Sequence, residues 1–271
     1  MAHFTHLHLH TDYSLLDGAI TLDRLIGFGK QHNLKALAIT DHGNIFGAVK
    51  FFQQCTKAGI KPVLGMEAYL TEDVRIKNVE NKYYHLIILV ENAVGYKNLC
   101  KLISFAYGEG FYFKPRIDYK ILAAHSEGLI VTSACLGGHI PSLLMAGNEQ
   151  LANTQIDWFL NVFGERRFYL EIQPPDQKDQ AILNDHLFHI AKTRGLPLVA
   201  AGDCHYVSAD DREAHEVMLA IQTHHKITDP DRFTFGDCRV HMRTADEMLA
   251  IFPGHEEAVW ASGEIADRCS F

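Results

Sequence analysis

No apolar stretch in the chain reaches the roughly 18 residues that a membrane helix needs. The first residues, Met-Ala-His-Phe-Thr-His, lack the basic segment and apolar run of a secretory signal. The chain is therefore expected to be soluble and cytoplasmic. Its six cysteines include no Cys-x-x-Cys pair, and without a signal they read as reduced thiols rather than a disulfide framework. An excess of basic charge is missing too: 25 Lys and Arg stand against 33 Asp and Glu, a formal net charge of -8. Such an overall field does not attract nucleic acid, so any contact with it must rest on a local patch or on bound cations. Internal repeats, low-complexity runs and linkers are also absent. One domain over residues 1–271 is the economical reading.

What the chain has in quantity is histidine. There are 17, several beside aspartates, which makes a metal site worth seeking. Apolar β-rich runs alternate with helical patterns around them. Residues 4–10 alternate with period two, a strand pattern, and 35–40, 61–70, 84–90, 129–133, 168–172 and 196–201 are further strand candidates. Helical spacing follows Thr21, which resembles an N-cap, and recurs over 46–58, 95–108, 151–163 and 177–193. About seven strands joined by helical crossovers imply a parallel sheet covered on both faces. In this length the pattern favours a TIM-like (β/α)7 barrel over an open sheet. The barrel would occupy roughly 1–207, with 208–271 a mainly helical part interrupted by a loop near 228–237.

His8 and His10, two apart on a strand, point to one face and form a natural metal clamp. Asp17 follows in the first loop, His42 after the second strand, then Glu67, His85, Cys135, and finally Asp203 and His205, again two apart. In a parallel barrel the C-terminal strand ends open on one rim, where active sites sit. Nine imidazoles, carboxylates and a thiol from seven segments are thus expected at that rim. Imidazole with one thiolate and a few carboxylates suits zinc, with manganese or iron(II) as rivals at the more oxygen-rich position.

The ordered motifs His8-Leu9-His10, Asp17-Gly18, Ile39-Thr40-Asp41-His42-Gly43, Gly65-Met66-Glu67, His85, Ser133-Ala134-Cys135 and Gly202-Asp203-Cys204-His205 resemble those of the PHP (polymerase and histidinol phosphatase) family. Two segments, 10–18 and 111–118, resemble the branch that forms the N-terminal PHP domain of bacterial DNA polymerase III alpha subunits. The resemblance runs from residue 4 to the end and implies a distorted seven-stranded barrel cut from a longer polymerase chain. It implies up to three divalent ions. His8, His10, Glu67 and Asp203 would hold one; Glu67, His85 and Cys135 a second; Asp17, His42 and His205 a third. Metal-dependent phosphodiester hydrolysis follows, as 3′ to 5′ exonuclease proofreading at a DNA 3′ end, with His8, His10, Glu67 and Asp203 catalytic. The polymerase active site would lie outside this chain. Two alternatives remain at this point: a stand-alone phosphatase for a small phosphomonoester, and a non-catalytic scaffold that docks a proofreading exonuclease subunit.

Lys114 and Arg116 are weaker candidates, able to grip a phosphate backbone or to form a loop salt bridge. Asp41 is a candidate to orient a neighbouring histidine, and His6 to pack behind the ligands. His139 could border the pocket, while His224, His225, His241 and His255 read as surface residues of the helical tail.

Overall fold

The computed structural model describes residues 3–270. Its strands are β1 (Ala36–Ile39), β2 (Lys61–Thr71), β3 (Tyr83–Val90), β4 (Arg116–Asp118), β5 (Leu129–Thr132), β6 (Phe168–Ile172) and β7 (Leu198–Ala200). Around them run α1 (Leu22–Gln31), α2 (Ala48–Ala58), α3 (Ala93–Gly108), α4 (Tyr119–Ala124), α5 (His139–Met145), α6 (Glu149–Phe163) and α7 (Lys178–Arg194). The remainder holds α8 (Arg212–Gln222), α9 (Ala245–Ile251) and α10 (Glu256–Arg268). Local chemistry sets several boundaries. Thr21 caps α1 by accepting from the Arg24 N–H, Asn92 caps α3 through the Val94 and Gly95 N–H groups, and α2 stops at Gly59 in the left-handed conformation.

The sheet runs β1-β2-β3-β5-β6-β7, with β4 pairing β2, and curls into a distorted barrel. Two sequence expectations need correction. The sheet is mixed rather than parallel, because β3 is antiparallel to both β2 and β5. Only 11 residues separate β2 from β3, too few for a helical crossover, so the chain must turn back on itself. Second, residues 4–10 do not form a regular strand. The chain bends at His8, and a single parallel bridge joins Leu9 to Cys204. That segment nonetheless closes the barrel: His10 N–H donates to the Cys204 carbonyl, Cys204 N–H to the His8 carbonyl, and Thr40 N–H to the Leu9 carbonyl. The short β4 takes the seventh place in the sheet.

Apolar burial divides into two clusters. The larger lies between the sheet and the outer helices. The smaller fills the barrel interior with Leu7, Ala38, Val63, Ile87, Ile130 and Val199, and α10 plugs it with Ile265 and Ala266. With one mouth stoppered by a helix, the polar interior positions collect at the other.

Candidate metal centre

Register explains how distant residues meet. Tyr69 pairs with His85 across β2 and β3, and Glu67 lies two residues before Tyr69, so Glu67 and His85 share a face. Because β3 is reversed, it is the beginning of this strand that reaches the rim. A bridge from His42 to Glu67 brings in the loop after β1, and one from His85 to Gly138 brings in the loop that carries Cys135. Three site loops adopt left-handed backbone at non-glycine residues: Leu16, Ala134 and Asp203, with φ of 61, 59 and 46°. Each costs on the order of 1 kcal/mol or more, and such strain gathers where function fixes a side chain. Gly18 is required by space, since a Cβ there would sit 2.0 Å from the Thr11 carbonyl oxygen.

Glu67 is the hub. Its Oε1 lies 2.8 Å from His85 Nδ1 and 3.4 Å from His8 Nε2; its Oε2 lies 2.8 Å from His42 Nδ1 and 3.2 Å from His10 Nε2. Asp203 Oδ1 is 3.1 Å from His8 Nε2 and 3.3 Å from His10 Nε2. Asp17 sits 2.8 Å from His42 and 3.7 Å from His205, and Cys135 Sγ is 3.5 Å from His85 Nδ1. Three sets converge closely enough to hold an ion each: His8, His10 and Asp203; Glu67, His85 and Cys135; and His10, His42 and His205.

The groups lie close, yet several make no hydrogen bond. His8 Nε2, His10 Nε2, His42 Nδ1, Glu67 Oε2 and Asp203 Oδ1 are buried without a hydrogen-bond partner, a costly state for polar atoms in water-free surroundings. Buried donor and acceptor atoms crowded within 2.8 to 3.3 Å of one another yet without a hydrogen bond are what a cation site looks like, and the donor set fits divalent metal. The outer nitrogens agree. His8 Nδ1 lies 2.7 Å from Glu171 Oε1, an acceptor, so Nδ1 carries a proton and Nε2 is the nitrogen left to meet a cation once it gives up its own. His205 Nδ1 likewise donates to the Asp203 carbonyl at 2.8 Å. Ser14 donates to Asp41 at 2.8 Å and so accepts from His10 Nδ1 at 3.1 Å. Asp41, also bonded to the Thr11 N–H, therefore orients His10 through a hydroxyl.

Protonation follows the same charges. Burial disfavours the His8 imidazolium, but Asp203, Glu171 and Glu67 outweigh it and hold its pKa well above the usual value. Burial is again opposed at His42, where Glu67 and Asp17 raise the pKa to about 10, and at His205, raised by Asp17. The histidines in turn hold Asp17, Glu67 and Asp203 well below the ordinary carboxylate range, against burial. Burial, with Asp203 and Glu67 close by, pushes the Cys135 thiol well up. The cluster attracts protons because it attracts cations.

Other candidates lie elsewhere. Arg116 is not available to phosphate: it is 1% exposed, and its guanidinium donates to the carbonyls of Gly110, Val74 and Ile76. Lys114 does reach the rim, its Nζ 5.3 Å over the Tyr69 ring. His6 packs behind the ligands, with Nε2 2.7 Å from the Arg243 carbonyl and Nδ1 3.3 Å from Cys204 Sγ. His139 stacks on Tyr84 and meets the Tyr119 hydroxyl rather than facing the ligands. His224 and His225 are exposed, but His241 and His255 are half-buried, contrary to expectation. His241 sits in an extended stretch bridged to Tyr206, and His255 lies flat on Phe188 at 3.7 Å. Sequence reasoning missed Glu171, fully buried and held also by Thr132 and by Gln173 at 2.8 Å. The available signal was a lone carboxylate inside the apolar strand Phe168–Ile172.

A curled α/β barrel with a buried carboxylate at the centre of a histidine cluster at its open mouth is a candidate metal-binding barrel. The PHP domain model matches residues 6–175, and the chain belongs to the PHP family. It is 44% identical over 270 residues to DNA polymerase III subunit alpha of Borreliella burgdorferi, covering 98% of this chain and 24% of that one. Against the subunit of the same name from Thermus aquaticus it is 43% identical over 279 residues, covering 98% and 22%. The chain thus spans under a quarter of the length of these relatives. A solved structure from Bifidobacterium adolescentis, assigned as a metal-dependent phosphoesterase, superposes with a TM-score of 0.50 at 15% identity, over 92% of this chain and 96% of that one, and so shares its fold. Among the described residues no helix is long and apolar enough to cross a membrane.

Proposed function

We propose that this chain is the metal-dependent phosphodiesterase part of a cytoplasmic DNA polymerase III alpha subunit, removing nucleotides from a DNA 3′ end in the 3′ to 5′ direction. The observation that carries the reading is the set of buried, unpaired ligand atoms on His8, His10, His42, Glu67 and Asp203. His8, His10, Glu67 and Asp203 would hold one ion, Glu67 with His85 and Cys135 a second, and Asp17, His42 and His205 a third. Zinc suits the imidazole and thiolate donors best, with manganese or iron(II) as rivals at the position of Asp17. When bound, such ions polarise a phosphoryl oxygen, lower the pKa of water and stabilise a leaving oxygen.

The chain's own residues do the rest. Glu171, Asp41 through Ser14, and the Asp203 carbonyl keep His8, His10 and His205 in the tautomer that turns Nε2 inward. Glu67 spans the three sets from one buried position, so its two oxygens fix their spacing. Lys114, beside Asp17 and His42 in one cleft, supplies a positive charge for the incoming phosphate. The remainder of the polymerase subunit, and a separate exonuclease subunit, are the partners this reading implies.

Metal stoichiometry of the purified chain by native mass spectrometry, alongside hydrolysis of a 3′-labelled oligonucleotide, tests it. About two to three ions per chain are expected, with activity lost on chelation and in Asp203→Asn and His10→Ala. Absence of bound metal, or activity that survives excess chelator or the loss of His10 and Asp203, overturns it.

A further inference from the structure

The cleft that opens onto the metal ligands has a second character. Asp17, His42 and His85 line it together with Phe46, Tyr83 and Tyr107, within a cavity of about 420 Å³, and the Tyr83 ring stacks 6.5 Å from His85. These rings are unusually uncovered: Phe46 is 60% exposed, Tyr107 42% and Tyr83 39%. Phe46 and Tyr107 have centroids 6.2 Å apart with their planes tilted by 47°, and Phe111, 47% exposed, stacks 6.4 Å from Tyr107. Exposed aromatic rows are costly to leave bare, and they mark binding surfaces when they adjoin a polar site.

The chemistry of the occupant follows from continuity with the cluster. A ligand held here would present a phosphate to cations held by Asp17, His42 and His85, and flat apolar faces to the rings within the same cleft. A small phosphate ester has no use for the rings. Lys114 over Tyr69 adds the positive charge that a phosphate chain needs, in a molecule whose net charge otherwise repels it. Single-stranded nucleic acid combines these features, because its unpaired bases offer free faces and its backbone repeats the phosphate. In a duplex those faces are already stacked.

We propose that Phe46, Tyr107 and Phe111, with Tyr83 at the inner edge, form a stacking platform for the unpaired bases of a single-stranded nucleic-acid end whose phosphate lies at the metal ligands. The platform rests on the phosphodiesterase reading for its purpose but has its own measurable consequence. Stacking recognises a base without reading its identity, so the site selects for an unpaired end and not for a sequence.

The test measures binding and hydrolysis separately on the metal-loaded chain. Fluorescence anisotropy compares a labelled oligothymidylate with an abasic strand of equal length. The base-bearing strand is expected to bind about tenfold more tightly or better. In the double variant Phe46→Ala, Tyr107→Ala that ratio should fall towards one, while Phe46→Tyr with Tyr107→Phe, which keeps both ring faces, should preserve it. Equal binding of the two strands by the unaltered chain overturns the platform, as does failure to bind either, which would leave the rings to a protein partner. A ratio retained in the double alanine variant also overturns it. Hydrolysis of the same oligothymidylate is followed in parallel. Base-dependent binding without hydrolysis sinks the phosphodiesterase reading and leaves the platform standing. Hydrolysis without base dependence does the reverse.

Discussion

Glu171 carries the clearest consequence of a single side chain. It touches no expected ion, yet it fixes the proton on His8 Nδ1 and adds negative charge behind the imidazole. Glu171→Gln keeps the shape and removes the charge, so metal affinity should fall by about 10- to 100-fold while activity at saturating metal recovers. Titration against a competing chelator measures it; unchanged affinity would mean that His8 needs no such support. His6, fully buried, makes a second residue-scale statement. Burial lowers its pKa from 6.5 to about 4, so the folded chain binds fewer protons there than the unfolded chain between those values. Stability should then rise with pH across that window, and the cost of keeping His6 neutral is complete below it, up to about 3 kcal/mol. Denaturant midpoints at pH 4.5 and 6.5 in unaltered protein and in His6→Gln test this. An equal pH dependence in both would assign the acid sensitivity to other groups.

At the scale of elements, the loops matter more than the strands. The Asp17 loop is pinned where Gly18 passes Thr11, and Thr11 also bonds Asp41. Gly18→Ala drives its Cβ to 2.0 Å from the Thr11 carbonyl oxygen, so it should destabilise the fold by about 2 kcal/mol or more and displace Asp17 from His42. Calorimetry and loss of one equivalent of bound metal would register it, whereas an unchanged midpoint would mean that the loop relaxes freely. The candidate ligands were legible because few residue types bind metal and because an i, i+2 pair invites the reading that both side chains share a face. His8 with His10, and Asp203 with His205, were singled out on that spacing, and the structure gathers them although the chain bends at His8 and turns left-handed at Asp203. What stayed hidden depended on partners far away in sequence. The bend at His8 breaks the period-two pattern that made 4–10 read as a strand, and the reversal of β3 is visible only through its short connection to β2. Arg116 read as a phosphate grip or a loop salt bridge because nothing local shows three carbonyls closing around it.

For the whole molecule, ions held by the cluster would act as a rivet through a closed barrel. Its residues come from the opening segment, from the loops after β1, β5 and β7, and from β2 and β3, so ions held there tie the chain together over nearly two hundred positions. Binding free energy in such a site is in part folding free energy. Chelation should lower the thermal midpoint by on the order of 10 °C, the shift that a few kcal/mol produces in chains of about this size. The loss should also depend on pH. Without metal, imidazolium forms of His8, His42 and His205 stand in for the missing cations between the carboxylates, and their raised pKa values show that these contacts are favourable. Stability from a raised histidine pKa is fully present below the ordinary value of 6.5 and is lost as pH climbs through the folded value, about 10 for His42. The chelated protein should therefore weaken steadily between pH 7 and 10, while in the metal-loaded protein the same imidazoles are already neutral. The gap between the two melting curves should widen with pH, measured by scanning fluorimetry at pH 7 and 9 with metal content verified. A gap that stays constant, or a midpoint indifferent to verified metal removal, would mean that the barrel closes without its ions and that the cluster is not what binds them.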